Sequence, residues 1–216
     1  MNQIVWIARH ANRLDFVHPE WFLTAVRRYD PPLSEDGIVQ TQQLAQRLQT
    51  ETITHIFASP FMRTVQTANA VAEVLNLGIK LETGLSEWLN PHWMTEAPEI
   101  HSISELKALF PRIDSDYTPV VSAEYPETEV QVQERCGKTA QLLASECYPE
   151  NILLVGHSAS VQGAAMGLVG DIAKTEVTAS LCSLVKILRQ GPEWLLELKG
   201  DTSHLMDIED FPSCIS

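Results

Sequence analysis

Ile4-Val5-Trp6-Ile7-Ala8 runs directly into Arg9-His10-Ala11-Asn12-Arg13. Five consecutive apolar residues without alternation suit a strand buried on both faces, as strands of a parallel sheet are. The residues that end it place arginines around a histidine at the strand's carboxyl end. Two later segments have the same form. Ile53 to Ala58 reads as a strand running into Ser59-Pro60-Phe61-Met62-Arg63. There Ser59 is the expected N-cap and Pro60 the first helical residue, which puts Arg63 in the first turn. Ile152-Leu153-Leu154-Val155 is a third apolar strand and runs into Gly156-His157-Ser158.

Helical patterns separate these strands. Ser34-Glu35-Asp36-Gly37 opens one, with Ile38, Leu44, Ala45 and Leu48 on one side and early acids suited to a helix start. Val65, Ala68, Val71, Ala72 and Leu75 give helical spacing after Ser59. Thr128 to Glu146 is amphipathic, and Ser158 to Leu168 is a further helix. Ile79 to Glu82 suits a short strand. Cys182 to Leu188 and Trp194 to Leu198 suit strands joined at Gly191-Pro192. Strands alternating with helices predict an α/β fold, a three-layer α/β/α sandwich around a largely parallel central sheet. With no repeat or low-complexity linker, residues 1–216 read as one domain. An excursion at about 88–126 leaves the main pattern.

Ligands of such sheets bind beyond the carboxyl ends of the strands. If the three strands are parallel neighbours, Arg9, His10, Arg13, Arg63 and His157 converge there. The chain carries a formal charge of −13 with 15 Lys and Arg. Clustered positive groups in so acidic a protein call for an anion. Arginine's planar fork suits phosphate oxygens, and helix N-termini after Ser59 and Ser158 offer further N–H donors. Neighbouring arginines should lower the pKa of His10 and favour the neutral, nucleophilic imidazole.

The bulk composition narrows the alternatives. The charge weighs against nucleic acid or an anionic membrane as partner. No apolar run approaches the roughly 18 residues of a membrane span. Met1-Asn2-Gln3 lacks a basic n-region, so no signal peptide is expected and a cytoplasmic location is the default. Cys136, Cys147, Cys182 and Cys214 form no Cys-x-x-Cys pair and read as reduced packing thiols. No metal site and no cofactor is expected. Arg27 and Arg28 read as a solvated pair, and His18, His55, His92, His101 and His204 as surface or packing residues. Trp21, Trp88, Trp93, Tyr117 and Tyr125 suit either a specificity pocket or ordinary packing.

Arg9-His10-Ala11, the Ser-Pro-x-x-Arg-x-x-Gln-Thr-Ala run from Ser59 to Ala68, and Gly156-His157-Ser158 resemble the histidine phosphatase superfamily in its phosphoglycerate-mutase-like branch. Pro32-Leu33-Ser34-Glu35-Asp36-Gly37 and Glu87 in Leu85-Ser86-Glu87-Trp88 fall where that branch has comparable elements. Arg13, Trp21, Glu87-Trp88 and Pro126-Glu127-Thr128 most resemble the Sts and ecdysteroid-phosphate phosphatase group. The resemblance implies His10 as nucleophile, Glu87 as general acid, and Arg9, Arg13, Arg63 and His157 as phosphate ligands. It further implies a metal-independent phosphatase of phosphomonoesters, acting on a phosphorylated small molecule or phosphopeptide, with a homodimer left open. Ala11 departs from the family, which has glycine after the nucleophile. A methyl there is tolerated only where φ is negative. Glu82 and Glu96 lie near enough in sequence to compete with Glu87 for the acid's place.

Three other readings share parts of this pattern. A phosphoglycerate mutase would need a second cationic grip, yet Lys107 and Arg112 are the only strong positive charges between Glu87 and Thr128. A signalling protein phosphatase would differ in substrate alone. A non-catalytic phosphate-binding module would be expected to lose the nucleophile or the acid.

Overall fold

The apolar run at the N-terminus forms β1, Asn2–Arg9, in a computed structural model that describes residues 2–206. Cys214 lies outside the described residues. The other strands are β2 Ile53–Ala58, β3 Ile79–Leu81, β4 Asn151–Gly156, β5 Leu184–Gln190 and β6 Glu193–Asp201. They form one sheet in the order β3-β2-β4-β1-β5-β6. The pairs β3–β2, β2–β4 and β4–β1 are parallel, while β5 runs antiparallel to both β1 and β6. The sheet is therefore mixed but largely parallel, and β1, β2 and β4 are the neighbours that convergence of the polar strand ends requires.

Alternation along the buried strands divides the core in two. Trp6, Ala8, Ile56, Ala58, Leu153 and Val155 pack with residues of α3, Glu35–Leu48, and α4, Met62–Leu75. Val5, Ile7, Phe57, Ile152 and Leu154 pack with α6, Glu129–Glu146, and α7, Ser158–Val169. Helices thus cover both faces, giving three layers. Helices α6 and α7 approach so closely that a Cβ on Gly167 would overlap the Gly137 backbone. Four short helices complete the set among the described residues: α1 Leu14–Val17, α2 Trp21–Thr24, α5 Ile103–Leu109 and α8 Ile172–Glu176.

The caps of α3 and α6 follow the sequence. Ser34 Oγ accepts the Gly37 N–H, and Thr128 with Gln131 forms a capping box. The start of α4 does not. It begins at Met62 with Phe61 as N-cap, two residues later than the Ser59-Pro60 signal predicts. A remote carboxylate explains the difference, because Asp30 Oδ1 accepts the Met62 N–H at 2.7 Å and frees Ser59 for other work. Ile38, expected on the buried side of α3, is exposed. Strand β5 begins at Leu184 rather than Cys182, whose φ of 56° lies in the left-handed region and cannot continue a strand.

Candidate active site

The carboxyl ends of β1, β2 and β4 deliver the histidines and Arg63 to one buried point. His10 and His157 are 0% exposed and Arg63 is 1% exposed. The two imidazoles stand edge to face, 5.3 Å between centroids. His10 Nδ1 lies 2.8 Å from the Ala11 carbonyl oxygen. A carbonyl can only accept, so Nδ1 carries the proton and Nε2 carries the lone pair. That Nε2 is buried without a hydrogen-bond partner. Burial, then the neighbouring Arg63 and His157, hold the His10 pKa well below the ordinary histidine value. The imidazole is thereby kept neutral, the form that can attack phosphorus.

Ala11 fits its place. It is fully buried, and it is absent from the residues with positive φ among those described. Its N–H donates to Thr67 Oγ1, which itself donates to the Arg63 carbonyl, so the β1 loop is tied to α4. Glycine's conformational freedom is not needed here.

Arg63 forms one corner of a close polar triangle with Glu87 and His157. Its Nη2 lies 3.2 Å from Glu87 Oε2 and 3.2 Å from His157 Nδ1, and that nitrogen lies 3.2 Å from the same Glu87 oxygen. Asp30, 1% exposed, supports Arg63 from behind at 4.0 Å and also accepts from His101 Nδ1 at 2.9 Å. Burial lowers the Arg63 pKa to about 10, still leaving it a cation at neutral pH. His157 Nε2 and Ser59 Oγ share a 2.8 Å hydrogen bond. Burial outweighs the raising influence of Glu87 and lowers the His157 pKa to about 4. For Glu87 burial acts upward, but His157 and Arg63 overcome it and keep the carboxyl well below its usual range. The resting pocket therefore holds a Glu87 carboxylate, not the protonated acid that the sequence reading assigns to it.

The remaining arginines differ in how they are held. Arg9 Nη1 donates to the Ala179 carbonyl at 2.8 Å, and its buried Nε has no partner. Its charge depresses the His10 pKa, and burial lowers that of Arg9 itself despite the opposing influence of Glu87. Arg13 is gripped by buried Asp15, Nε to Oδ1 at 2.9 Å and Nη2 to Oδ2 at 2.5 Å. Its field still reaches the pocket, lowering the pKa values of Arg63 and His157. His10, Arg63, Glu87 and His157 thus meet at one point, and Arg9 and Arg13 act on it through their charge.

The competing acids do not join them. Glu82 is buried under Tyr117 OH and the Val120 and Val121 amides, while Glu96 pairs with Arg28 at the surface. Arg27 pairs with Glu105 and Glu99. The helix-terminus donors expected after Ser59 are occupied too, Phe61 N–H by Ser59 Oγ and Met62 N–H by Asp30.

Sequence reading missed four supports: Asp15, Asp30, Thr67 and Arg135. Arg135 binds Glu127 through two bonds, Nε to Oε1 at 2.5 Å and Nη2 to Oε2 at 2.7 Å, and donates to the Gly84, Ser86 and Glu87 carbonyls. That buried pair fixes the backbone from which Glu87 projects. Glu127, noted within Pro126-Glu127-Thr128, was the available signal. The structure also brings His10, His157 and Glu87 together so that one ligand atom from each lies within 4.8 Å of the others. The sequence reading foresaw no such set.

Of the aromatic residues, Trp88 and Trp93 stack edge to face at 4.9 Å and line a 670 Å³ cleft with Glu87, Val130, Gln133, Ser158 and Gln162. Tyr117 packs on Phe57, and Tyr125 OH bonds the Met94 carbonyl. Trp21 and Phe110 line a separate 520 Å³ cavity with Asp30, Met62 and His101. No helix of the described residues is long and apolar enough to cross a membrane.

The chain is similar to several known proteins. The human ubiquitin-associated and SH3 domain-containing protein A is 33% identical over 152 residues, 65% of this chain and 23% of that protein, so the chain spans about a quarter of that relative's length. A probable phosphoglycerate mutase GpmB of Proteus mirabilis is 30% identical over 188 residues, covering 83% of this chain and 86% of that one. Among solved structures, the ecdysone phosphate phosphatase of Bombix mori in complex with tungstate superposes with a TM-score of 0.74 at 23% identity, over 90% of this chain and 91% of that chain. The model of the histidine phosphatase superfamily (branch 1) matches residues 5–202. On these grounds the chain belongs to the histidine phosphatase superfamily.

Proposed function

We propose that this chain is a metal-independent phosphomonoester phosphatase acting through a phosphohistidine on His10. The observation that carries the reading is the His10 Nε2 lone pair, buried, unpartnered and set beside Arg63 and His157. Arg9, Arg13, Arg63 and His157 would bind the phosphoryl oxygens and stabilise charge on them as the bond to the leaving oxygen breaks. Nε2 attacks phosphorus in line, and Glu87 gives a proton to the leaving oxygen. Because the resting Glu87 is ionised, that proton arrives with the monoanionic ester. The phosphate's negative charge also raises Glu87's affinity for it. Water then attacks the phosphohistidine, Glu87 takes its proton, and inorganic phosphate leaves.

The cleft beside Glu87 favours bulky or aryl leaving groups, with Trp88 and Trp93 as its aromatic wall. The mutase reading wants a second cationic grip, and the excursion's two cations are committed elsewhere. Lys107 donates to the Pro111 and Ile113 carbonyls, and Arg112 to Asn76 Oδ1. Rapid quench with labelled p-nitrophenyl phosphate tests the chemistry. Acid-labile, base-stable label should appear on His10, and label on another residue would sink the assignment. A panel of aryl phosphates, phosphopeptides and 3-phosphoglycerate tests the substrate class. Aryl esters should lead in kcat/KM, whereas efficient interconversion of 2- and 3-phosphoglycerate would replace this reading with the mutase one.

A further inference from the structure

We propose that Arg63 has a second role besides phosphate binding: it keeps divalent metal ions out of a ready-made His10–His157–Glu87 ligand set. Two imidazoles and a carboxylate are a common donor set for zinc, which takes three protein ligands and an open fourth position in catalytic sites. Here one ligand atom of each residue lies within 4.8 Å of the other two. His10 Nε2 has its lone pair free, because Nδ1 is spent on the Ala11 carbonyl. His157 is turned so that Nε2 meets Ser59 and Nδ1 faces Glu87. Each far nitrogen is also hydrogen-bonded, His10 Nδ1 to the Ala11 carbonyl and His157 Nε2 with Ser59 Oγ, which is what orients a metal-binding histidine.

Arg63 lies against two of the three donors in that set. Its Nη2 is 3.2 Å from both Glu87 Oε2 and His157 Nδ1, close to where an ion bound by those two atoms would lie. A guanidinium there blocks the position sterically and repels a dication. It cannot swing away cheaply, being 1% exposed, bonded to the Tyr29 carbonyl and backed by Asp30. Removing the charge while leaving the three donors should convert an anion pocket into a cation site.

The test is zinc binding by calorimetry on the full chain, with Co²⁺ absorption as a second readout. Wild type should show no saturable pocket binding. R63M and R63Q should each bind one Zn²⁺ at least about 10³-fold more tightly, given the repulsion between a dication and an adjacent guanidinium. Both should give the visible bands of low-coordinate Co²⁺. The double variants R63Q/H157A and R63Q/H10A should lose the ion. R63Q keeps a donor for the Tyr29 carbonyl, so it guards against loss of fold in R63M, and circular dichroism checks both. R63K, which retains a cation, should stay metal-free. The proposal is overturned if wild type binds Zn²⁺ through His10 and His157 as tightly as the variants do. It fails equally if folded R63Q binds none. Neither result depends on catalytic activity, so the phosphatase reading stands or falls separately.

Discussion

His10 and His157 meet edge to face at 5.3 Å, both fully buried, and both held below the ordinary histidine pKa. This pair couples folding to pH. An unfolded histidine takes its proton near about 6.5, whereas folded His157 does so only near about 4. As pH falls through that window the unfolded chain binds protons that the folded chain refuses, so stability falls. The expected loss between pH 7.5 and 5 is roughly 1–3 kcal/mol. Urea unfolding at the two pH values measures it, and His157→Gln should reduce the difference, leaving the share that His10 contributes. An unchanged midpoint in wild type would show that His157 is not buried neutral.

Arg13 is oriented by Asp15 rather than by the pocket. Asp15→Asn leaves the shape but removes the charge that steadies the guanidinium. KM for p-nitrophenyl phosphate should rise about tenfold or more, the worth of one charged hydrogen bond, with kcat changed less. A KM equal to wild type would place Arg13 outside the phosphate contact.

Glu87 must gain a proton before it can give one. An aryl oxide leaves with little help, while an alkyl oxide needs the proton. Glu87→Gln should therefore slow an alkyl phosphate by about 10² or more and an aryl phosphate by much less. Single-turnover rates on both esters make the comparison. Equal losses on both would remove Glu87 as the acid.

Gly37 carries the close approach of α3 to the nucleophile's loop, since a Cβ there would overlap the Asn12 carbonyl oxygen. That carbonyl also accepts the Ser34 N–H, and the Asn12 side chain donates to Asp36 at 2.7 Å. Gly37→Ala should cost about 1–3 kcal/mol, as overpacking does, and weaken phosphate binding by displacing Arg13. Thermal unfolding and inhibition by vanadate report the two effects. A variant with unchanged Tm and vanadate affinity would refute the constraint.

The layers, the long helices and the strand ends that bring His10, Arg63 and His157 together were legible in the sequence, because each rests on neighbours in the chain. Apolar runs such as Ile4 to Ala8, helical spacing after Arg63, and caps such as Ser34 and Thr128 are short-range signals. The family motifs likewise carry Arg9-His10, Arg63 and His157 as contiguous strings. Tertiary structure alone decided the start of α4, where Asp30 reaches across 32 residues to the Met62 amide and overrides the local Ser59-Pro60 signal. It decided that Arg135 holds the Glu87 backbone, and that of the candidate aromatics Trp88 and Trp93 face the cleft while Tyr117 and Tyr125 pack elsewhere. It decided charge states too, leaving His157 neutral and Glu87 ionised. The physical reason is common to all of these. Local conformation follows from torsional preference and periodicity along the chain, whereas hydrogen-bond partners and proton affinities depend on which distant groups share a buried, poorly solvated space.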